Sequence, residues 1–282
     1  NQKIRIMKLR NFDIDNSKKM TLMGGMNVLE SRELAMEVAE KFKEATNINN
    51  INYIFKGSFD KANRSSINSY RGPGLEEGLK ILEEVSNTFD VPVITDIHEP
   101  DQAKPVSEIC EVVQIPAFLA RQTDLIKAAA KTKSIIQFKK PQFLSASQMG
   151  NVVEKCSLAG NENITLCERG NSYGYNNLVV DTLNFQILKS FSKPVIFDVT
   201  HSLQLPGGLG NATDGRREYL LSLAKAGMSQ SIAGLFLEAH PDPNIAKCDG
   251  PCALPLSILE EFITQIKDLD DFIKDQNDLE IS

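Results

Sequence analysis

The 282-residue sequence predicts an α/β fold, a (β/α)8 TIM barrel, because short apolar runs alternate with segments of helical periodicity. Eight of these runs are rich in Val, Ile and Phe without strict polar alternation, as in strands buried on both faces. Parallel strands need a crossover, and eight strand–helix units fit a closed barrel better than an open doubly wound sheet. We therefore expect a single barrel domain over residues 1–282.

The predicted strands occupy residues 20–27, 52–58, 91–99, 111–118, 134–141, 163–170, 194–201 and 233–240. Residues 1–19, which contain KIRIMKLRNFDIDN, predict a short β-hairpin that caps the N-terminal end, or bottom, of the barrel.

Amphipathic helices are predicted between the strands. In the first, over residues 30–45, Leu34, Val38 and Phe42 recur every four residues and form an apolar face. The last helix is predicted to open with a capping box made by Ser257 and Glu260. Its predicted apolar face comprises Leu259, Phe262, Ile263, Ile266, Leu269 and Ile273.

Composition narrows the classes of function. The formal net charge of −6 and the pI near 5.3 argue against a nucleic-acid-binding protein, which needs a broad basic surface. No apolar run approaches the roughly 20 residues that span a bilayer. Charged residues interrupt the N-terminal segment, which therefore does not resemble a signal peptide. Five scattered cysteines fit reduced thiols in a cytoplasmic enzyme better than a disulfide framework.

Polar and charged residues follow the predicted strands, where a barrel of this kind builds its active site. All three histidines of the chain are among them. The residues at these strand ends are Asn27, Lys56, Asp96, His98, Lys139, Lys140, Glu168, Arg169, Asp198, His201, Glu238 and His240.

The loop after the second strand, FKGSFDKANRSSINSYRG (55–72), concentrates cations and hydroxyls in an acidic chain. Lys61, Arg64 and Arg71 stand among four serines. Arginine offers a planar fork to a phosphate, and lysine supplies a point charge. Because Lys139, Lys140 and Arg169 add cations at the same mouth, we expect more than one phosphate or carboxylate group to bind there.

Two later loops also reach this end of the predicted barrel. LPGGLGNATDGRR (205–217) lacks a dinucleotide fingerprint, so we interpret it as a mobile lid rather than a Rossmann motif. AKCDGPCALPL (246–256) is a Gly/Pro turn region, in which Asp249 is acidic and close to the end of the eighth strand.

The motifs GGMNVLES, KGSFDKANRSSINSYRGPG, TDIHEP, QIPAFLARQTDL, KKPQF, GNVVEK, CERG, FDVTHS and EAHPDP occur in this order. From about residue 20 to 256 the sequence resembles the 3-deoxy-D-manno-octulosonate 8-phosphate (KDO-8-phosphate) synthases. The resemblance implies a (β/α)8 barrel, usually a homotetramer. It also implies condensation of phosphoenolpyruvate with D-arabinose 5-phosphate and water in lipopolysaccharide biosynthesis, with release of inorganic phosphate.

The same resemblance implies roles for individual residues. Lys61, Lys139 and Arg169 would hold phosphoenolpyruvate, and Asn63, Arg64 and Ser65 would hold arabinose 5-phosphate. Arg121 would reach a site across a subunit interface, near Gln114 and Ala117. We expect Lys56 to bind substrate as well. The expected catalytic set is Asn27, Lys61, Asp96, His98, His201, Glu238 and Asp249.

Members of this family differ in their need for a metal. In one type a cysteine on the first strand joins a histidine, a glutamate and an aspartate to hold a divalent metal. His201, Glu238 and Asp249 occupy the last three positions here, but Asn27 occupies the first. A neutral amide oxygen cannot replace the affinity of a thiolate for a transition metal, so we expect the metal-independent type, with no cofactor. Asn27 would then orient substrate and water, with Asp249 and His201 as candidates for proton transfer.

Three alternatives remain open at this stage. The related synthase that condenses phosphoenolpyruvate with erythrose 4-phosphate is the nearest, although KANRSS and the short loops favour arabinose 5-phosphate. A Schiff-base aldolase would use a strand-end lysine such as Lys139 as its nucleophile. A non-catalytic barrel would only bind a sugar phosphate.

Overall fold

Eight parallel strands close into a barrel in the computed structural model, which describes residues 7–206, 214–277 and 279. Each strand pairs with the next along the chain, and the last pairs with both the seventh and the first. The predicted (β/α)8 barrel is confirmed. The strands are β1 (Thr21–Val28), β2 (Asn52–Ser58), β3 (Val93–Asp96), β4 (Val112–Ile115), β5 (Ile135–Lys139), β6 (Ile164–Glu168), β7 (Val195–Asp198) and β8 (Gly234–His240).

Helices follow the strands and surround them. They are α1 (Arg32–Ile48), α2 (Leu75–Phe89), α3 (Ala103–Ile109), α4 (Thr123–Ala130), α5 (Met149–Leu158), α6 (Leu183–Lys189), α7 (Leu220–Met228) and α8 (Leu259–Lys274). A further short helix, Val199–Ser202, follows β7 directly. In the part of the chain that the structure describes, no helix has both the length and the apolar character needed to cross a membrane.

The loops contain short strands and 3₁₀ turns. Asn171–Ser172 pairs with Leu178–Val179, Gln204–Leu205 pairs with Asp214–Gly215, and Leu254–Pro255 lies beside β8. The 3₁₀ turns are Pro100–Gln102, Ala117–Leu119, Ala146–Gln148, Arg217–Tyr219, Gly250–Cys252 and Leu256–Ile258.

The N-terminal hairpin closes the bottom of the barrel, as the sequence predicts. Met7–Leu9 pairs antiparallel with Phe12–Ile14. Met7, Leu9 and Ile14 pack against buried residues at the N-terminal ends of the strands, such as Met23 and Ile54. Residues 1–6 of the predicted hairpin segment lie outside the described residues. The apolar plug leaves the opposite, C-terminal end of the barrel as the end that can open to a ligand.

The first and last helices begin differently. Ser31 caps α1, with its hydroxyl accepting the Leu34 N–H at 3.1 Å. The predicted capping box of α8 is wrong, because Ser257 lies inside a 3₁₀ turn and the α-helix begins only at Leu259. No side-chain hydrogen bond caps α8 at Ile258.

The apolar face predicted for α8 is present, with four buried side chains, Leu259, Phe262, Ile263 and Ile266. Leu269 packs against the same core while partly exposed.

A polar layer lies between the apolar plug and the mouth of the barrel. Gln114 on β4 accepts a hydrogen bond from Gln137 on β5 at 3.2 Å, and Thr165 on β6 donates to Gln137 at 3.2 Å. Asp96 on β3 stands in register with Gln114. The barrel interior therefore changes from apolar to polar toward the C-terminal ends of the strands.

Candidate active site

A cavity of about 580 Å³ opens at the C-terminal end of the barrel. Strand ends form its base, and the loops after β2, β4 and β8 form its walls. Most of the predicted site residues line it: Lys56, Lys61, Asn63, Arg64, Ser65, Asp96, His98, Gln114, Ala117, Lys139, Arg169, His201, Glu238 and Asp249. The prediction that these strand ends meet in one place is thus confirmed, whereas their roles remain predictions.

Asn27 lies behind the cavity wall and contacts one of its residues. The register of β1 against β2 shifts between Gly25 and Val28, an irregularity of the kind that re-aims a side chain. Asn27 is buried, with only 8% of its surface exposed. Its amide nitrogen donates a hydrogen bond to Asp249 Oδ2 at 2.6 Å. An ionised carboxylate can only accept, so Asn27 must present its NH₂ group and not its oxygen to Asp249.

Asp249 is held as a carboxylate. Burial opposes ionisation, but the charges of His201 and Lys61, with hydrogen bonds from Asn27 and Gln204, hold the pKa of Asp249 below its usual value. Its backbone has φ of 50°, in the left-handed region that aspartate tolerates better than most residues.

His201 is oriented by one carboxylate and faces two others. Asp198 Oδ2 contacts His201 Nδ1 at 2.7 Å, and Asp198 Oδ1 accepts the His201 backbone N–H at 2.9 Å. The His201 Nε2 atom lies 3.4 Å from Glu238 Oε2 and 3.7 Å from Asp249 Oδ2. An ionised Asp198 requires the proton on Nδ1, which leaves Nε2 as the ring nitrogen that can exchange a proton with a substrate.

Asp198 also holds Lys139. Burial raises the pKa of a carboxyl, yet His201 and Lys139 outweigh it and hold the pKa of Asp198 far below its usual range. Lys139 Nζ bonds to Asp198 Oδ2 and lies 3.3 Å from the centroid of the Phe236 ring. The ammonium thus has a carboxylate on one side and an aromatic face on another.

Lys56 forms a second buried pair at the end of β2. Its ammonium donates to Ser58 Oγ at 2.7 Å and lies 3.4 Å from Asp96 Oδ1, while Ser58 also bonds to Asp96. Burial, followed by repulsion from Lys61, lowers the pKa of Lys56 to about 8. His98 Nε2 contacts Asp96 Oδ2 at 3.1 Å and completes this group.

Lys61 carries its charge in the loop above these pairs. Burial opposes the charge, but Asp96 and Glu238 outweigh it, and the pKa of Lys61 is raised. Both Glu238 carboxylate oxygens are buried and make no hydrogen bond among the described residues. Lys61 lines the cavity, so its ammonium is placed to attract an anionic substrate there.

Arg169 is presented by a tight turn at the end of β6. Glu168 Oε1 accepts the backbone N–H groups of Arg169 at 2.9 Å and Gly170 at 2.6 Å, and Gly170 has φ of 86°. The Arg169 guanidinium donates to two neutral acceptors, the His201 carbonyl at 3.2 Å and Gln204 Oε1 at 2.6 Å. Its positive charge thus remains available to an anion in the cavity.

Lys140 does not belong to the cationic mouth, which corrects the sequence interpretation. Its fully buried ammonium lies behind the turn of Arg169, 3.4 Å from Glu168 Oε1. It donates to acceptors at Pro141, Leu144, Gly170 and Asn171.

Arg71 is also absent from the mouth and forms an exposed pair with Asp60 at 2.5 Å.

The loop after β2 brings Asn63, Arg64 and Ser65 to the cavity rim. The Arg64 guanidinium donates to the Lys247 carbonyl at 3.0 Å and approaches the Tyr70 carbonyl at 3.5 Å. As with Arg169, neutral oxygens hold the group and leave its charge unpaired by these contacts.

Arg121 and His240 do not line this cavity. Arg121 is exposed on the segment before α4, and its carbonyl accepts a hydrogen bond from Lys155 at 3.0 Å. His240 ends β8 as predicted, but its Nε2 atom lies 3.6 Å from Glu30 and its Nδ1 atom accepts the Asp242 N–H at 3.0 Å.

The sequence assigns no role to three important residues of the site. Asp198 is predicted only as a strand-end residue, although its place three residues before His201 lets it orient the imidazole. Phe236 lies within an apolar run and carries no such signal. Gln204 enters the cavity because the chain turns back after the short helix Val199–Ser202, which the sequence does not indicate.

The predicted lid is described only at its ends. Gln204–Leu205 and Asp214–Gly215 form an antiparallel pair at its base. Residues 207–213 lie outside the described residues, so the lid interpretation stays a prediction.

The donor groups around Asn27 do not fit a transition metal. Asn27 turns its NH₂ group to Asp249. Burial, followed by the Asp249 charge, raises the pKa of the adjacent Cys248, so that this group is a neutral thiol in the metal-free site. Over residues 7–206 and 214–277, no group of three or more His, Cys, Asp and Glu side chains is arranged to hold a metal ion.

Comparison with known proteins defines the class to which this barrel belongs. The family model described as "DAHP synthetase I family" matches residues 4–275, so the chain belongs to the DAHP synthetase I family.

Within this class, the chain is similar to proteins named 2-dehydro-3-deoxyphosphooctonate aldolase. It is 60% identical over 270 residues to those of Pseudomonas putida (strain GB-1) and Hahella chejuensis, covering 96% of this chain and 96% of each relative. It is also 60% identical over 272 residues to that of Psychromonas ingrahamii, covering 96% of this chain and 97% of the relative.

Proposed function

We propose that this chain is a KDO-8-phosphate synthase. It condenses phosphoenolpyruvate with D-arabinose 5-phosphate and water to give 3-deoxy-D-manno-octulosonate 8-phosphate and inorganic phosphate. The observation that carries the proposal is the presence of cationic groups at two levels of one cavity. Lys139 and Arg169 are buried at its base, while Arg64 lies in the exposed loop at its rim. Two phosphorylated substrates require two such positions.

The deeper position suits phosphoenolpyruvate. Lys61, Lys139 and Arg169 come from three different elements and converge on the cavity base. Together they match a substrate that carries both a carboxylate and a phosphate. The rim position, with Asn63, Arg64 and Ser65, suits the phosphate of arabinose 5-phosphate, which would point the aldehyde of that sugar down toward the enol.

Bond formation then needs positioning and proton transfer. C3 of the enol attacks the aldehyde carbon, and water adds to C2. The resulting phosphorylated hemiketal collapses by C–O cleavage and releases phosphate. His201 Nε2, between Glu238 and Asp249, is the proposed group for proton transfer, with Asn27 positioning Asp249. Lys61 and Arg169 stabilise the anionic intermediate electrostatically.

We also propose that the reaction is metal-independent. The support is the chemistry of Asn27, which offers a neutral amide in place of a thiolate and turns its NH₂ group, which is no metal ligand, toward Asp249. The test is phosphate release from phosphoenolpyruvate and arabinose 5-phosphate in excess EDTA. Full activity with chelator is expected. Activity that disappears with EDTA and returns with a divalent metal would keep the synthase and remove metal independence.

The alternative substrates give different results in the same assay. Erythrose 4-phosphate in place of arabinose 5-phosphate is expected to give less phosphate release, and a preference for it would assign the sister activity. A Schiff-base mechanism is disfavoured because the Lys139 nitrogen is held against the buried Asp198 carboxylate rather than free to attack a carbonyl. Borohydride trapping with substrate checks this. Binding without turnover would leave the non-catalytic barrel.

We further propose a cytoplasmic homotetramer built from a single domain of residues 1–282. The support for a reducing compartment is that all five cysteines are free. For assembly, Phe118 is 54% exposed beside the cavity and Arg121 is exposed nearby, where a second subunit would use both. Light scattering measures the assembly, and Arg121→Ala tests whether this arginine completes a neighbouring site.

A further inference from the structure

A group of residues beside the cavity joins three elements that carry the site. We call Glu30, Tyr70, His240 and Lys247 the rim cluster. Glu30 follows β1, Tyr70 lies in the loop after β2, His240 ends β8, and Lys247 lies in the loop after β8. None of the four is among the residues assigned above to substrate or proton transfer.

Glu30 is the centre of the rim cluster. Its Oε1 atom accepts the Lys247 backbone N–H at 2.9 Å and lies 3.6 Å from His240 Nε2. His240 Nδ1 accepts the Asp242 N–H, so the neutral imidazole carries its proton on Nε2, which faces Glu30. The Glu30 side chain is only 12% exposed, so this carboxylate depends on the Lys247 N–H as its hydrogen-bond donor. His240 Nε2, at 3.6 Å, is too distant for a hydrogen bond and makes only an electrostatic contact.

Tyr70 ties the loop after β2 to the same point. Its hydroxyl donates to the Leu29 carbonyl at 3.0 Å, next to Glu30 in the chain. The Lys247 ammonium lies 4.4 Å from the centroid of the Tyr70 ring, which is a cation–π distance. Through these contacts the two loops hold each other as well as the end of β1.

The rim cluster is directly connected to two groups with proposed roles. The Lys247 carbonyl accepts the hydrogen bond of the Arg64 guanidinium at 3.0 Å. Lys247 is also two residues before Asp249, whose carboxylate faces His201. Lys247, whose backbone N–H donates to Glu30, therefore presents its carbonyl to Arg64 and leads into Asp249.

We propose that Glu30 is a positioning residue that holds the loop after β8 in place and thereby presents Arg64 to the phosphate of the aldose. The inference rests on the proposed function for the identity of that phosphate sugar. Arg64 lies in an exposed loop, and the Lys247 carbonyl, at 3.0 Å, is the shorter of the two contacts that orient its guanidinium. Lys139 and Arg169 are held by contacts outside the rim cluster, so we expect phosphoenolpyruvate binding to depend on Glu30 less than arabinose 5-phosphate binding does.

The experiment compares Glu30→Ala, Glu30→Gln and the exposed control Glu37→Ala on α1 by steady-state kinetics. Glu30→Ala is expected to raise the KM for arabinose 5-phosphate roughly tenfold, the effect of losing one charge-assisted hydrogen bond, and to change the KM for phosphoenolpyruvate less than about twofold. Glu30→Gln keeps an acceptor for Lys247 and restores most of the affinity. Equal changes in both KM values, or none, overturn the inference.

Hydrogen exchange on the same variants tests the cluster without turnover. Glu30→Ala is expected to speed exchange of the amides at 60–72 and 246–250 about tenfold, with Glu37→Ala unchanged. Tyr70→Phe, which loses only the hydroxyl, is expected to affect residues 60–72 more than residues 246–250. If the wild-type chain shows no turnover, the proposed function fails and this exchange pattern alone decides the inference. Unchanged exchange in Glu30→Ala overturns it.

Discussion

Two consecutive lysines at the end of β5 point in different directions and have different surroundings. Lys139 turns into the cavity, where it meets Asp198 and the Phe236 ring. Lys140 turns away from it and is fully buried, with its ammonium among the oxygens that frame the turn of Arg169. Successive side chains of a strand point to opposite faces, so neighbours in sequence are not neighbours in function. One lysine is placed to meet an anion, and the other holds the backbone that presents a different cation.

The partners of the two ammonium groups explain this division. Lys140 is surrounded mainly by neutral oxygens, and burial lowers its pKa although the Glu168 charge opposes this. Lys139 pairs with a carboxylate that it shares with His201, so a bound anion would join an existing network of charges. The comparison predicts that removing Lys140 affects folding and that removing Lys139 affects chemistry.

The largest effect is expected for Lys140→Met. The change removes the donor from several buried oxygens and leaves Glu168 without its counter-ion, which should lower the free energy of unfolding by about 3–5 kcal/mol. Urea unfolding, with the exposed Lys133→Met as control, measures it. A variant as stable as wild type that nevertheless loses activity would reverse the assignment of the two lysines.

Lys139→Met should instead lower kcat/KM for phosphoenolpyruvate by a factor on the order of 10² to 10³, as expected for loss of a group that stabilises developing charge. Asp198 keeps its two hydrogen bonds to His201, so the free energy of unfolding should fall less than in Lys140→Met. Phosphate release and urea unfolding on the same preparation separate the two effects. A larger loss of stability than in Lys140→Met would contradict the comparison.

The two lysines also show which features of the fold and the site can be predicted from the sequence. Apolar runs, helical spacing and the polar residues at strand ends identify the barrel and most of the cavity lining, because parallel strands bring their C-terminal ends together. They do not separate Lys139 from Lys140, since KKPQF contains no sign of where β5 ends. The pairing of Lys139 with Asp198, and the place of Gln204 beside Arg169, depend on contacts between segments 59 and 35 residues apart. Such contacts follow from strand order and loop geometry, which local patterns do not contain.

Arg64 is a cavity cation that lies in a loop, whereas Lys139 lies at the end of a strand. It faces the cavity as Lys139 does, but its acceptors are carbonyl oxygens in exposed segments. Arg64→Ala should raise the KM for arabinose 5-phosphate about 10- to 100-fold, leaving the KM for phosphoenolpyruvate and the unfolding free energy nearly unchanged. Steady-state kinetics with each substrate varied in turn measures this. Equal increases in both KM values would place Arg64 at a shared site.

The smallest effect is expected for Lys56, where a change of pH removes the charge of the ammonium and leaves the side chain in place. Burial, followed by the nearby Lys61, lowers its pKa to about 8, against the opposing charge of Asp96. Above that pH the free enzyme loses an ammonium from the cavity base, so kcat/KM for phosphoenolpyruvate should fall on the alkaline side, by roughly tenfold one pH unit above the pKa. Lys56→Arg keeps its charge throughout this range and should remove the alkaline limb near pH 8 even if its maximum is lower. If the alkaline fall in kcat/KM persists in Lys56→Arg, the titration belongs to another group. The remaining cations of the cavity would then be sufficient to hold the substrate. Lys56 would resemble Lys140, with its ammonium bound to Ser58 and Asp96 rather than to a substrate anion.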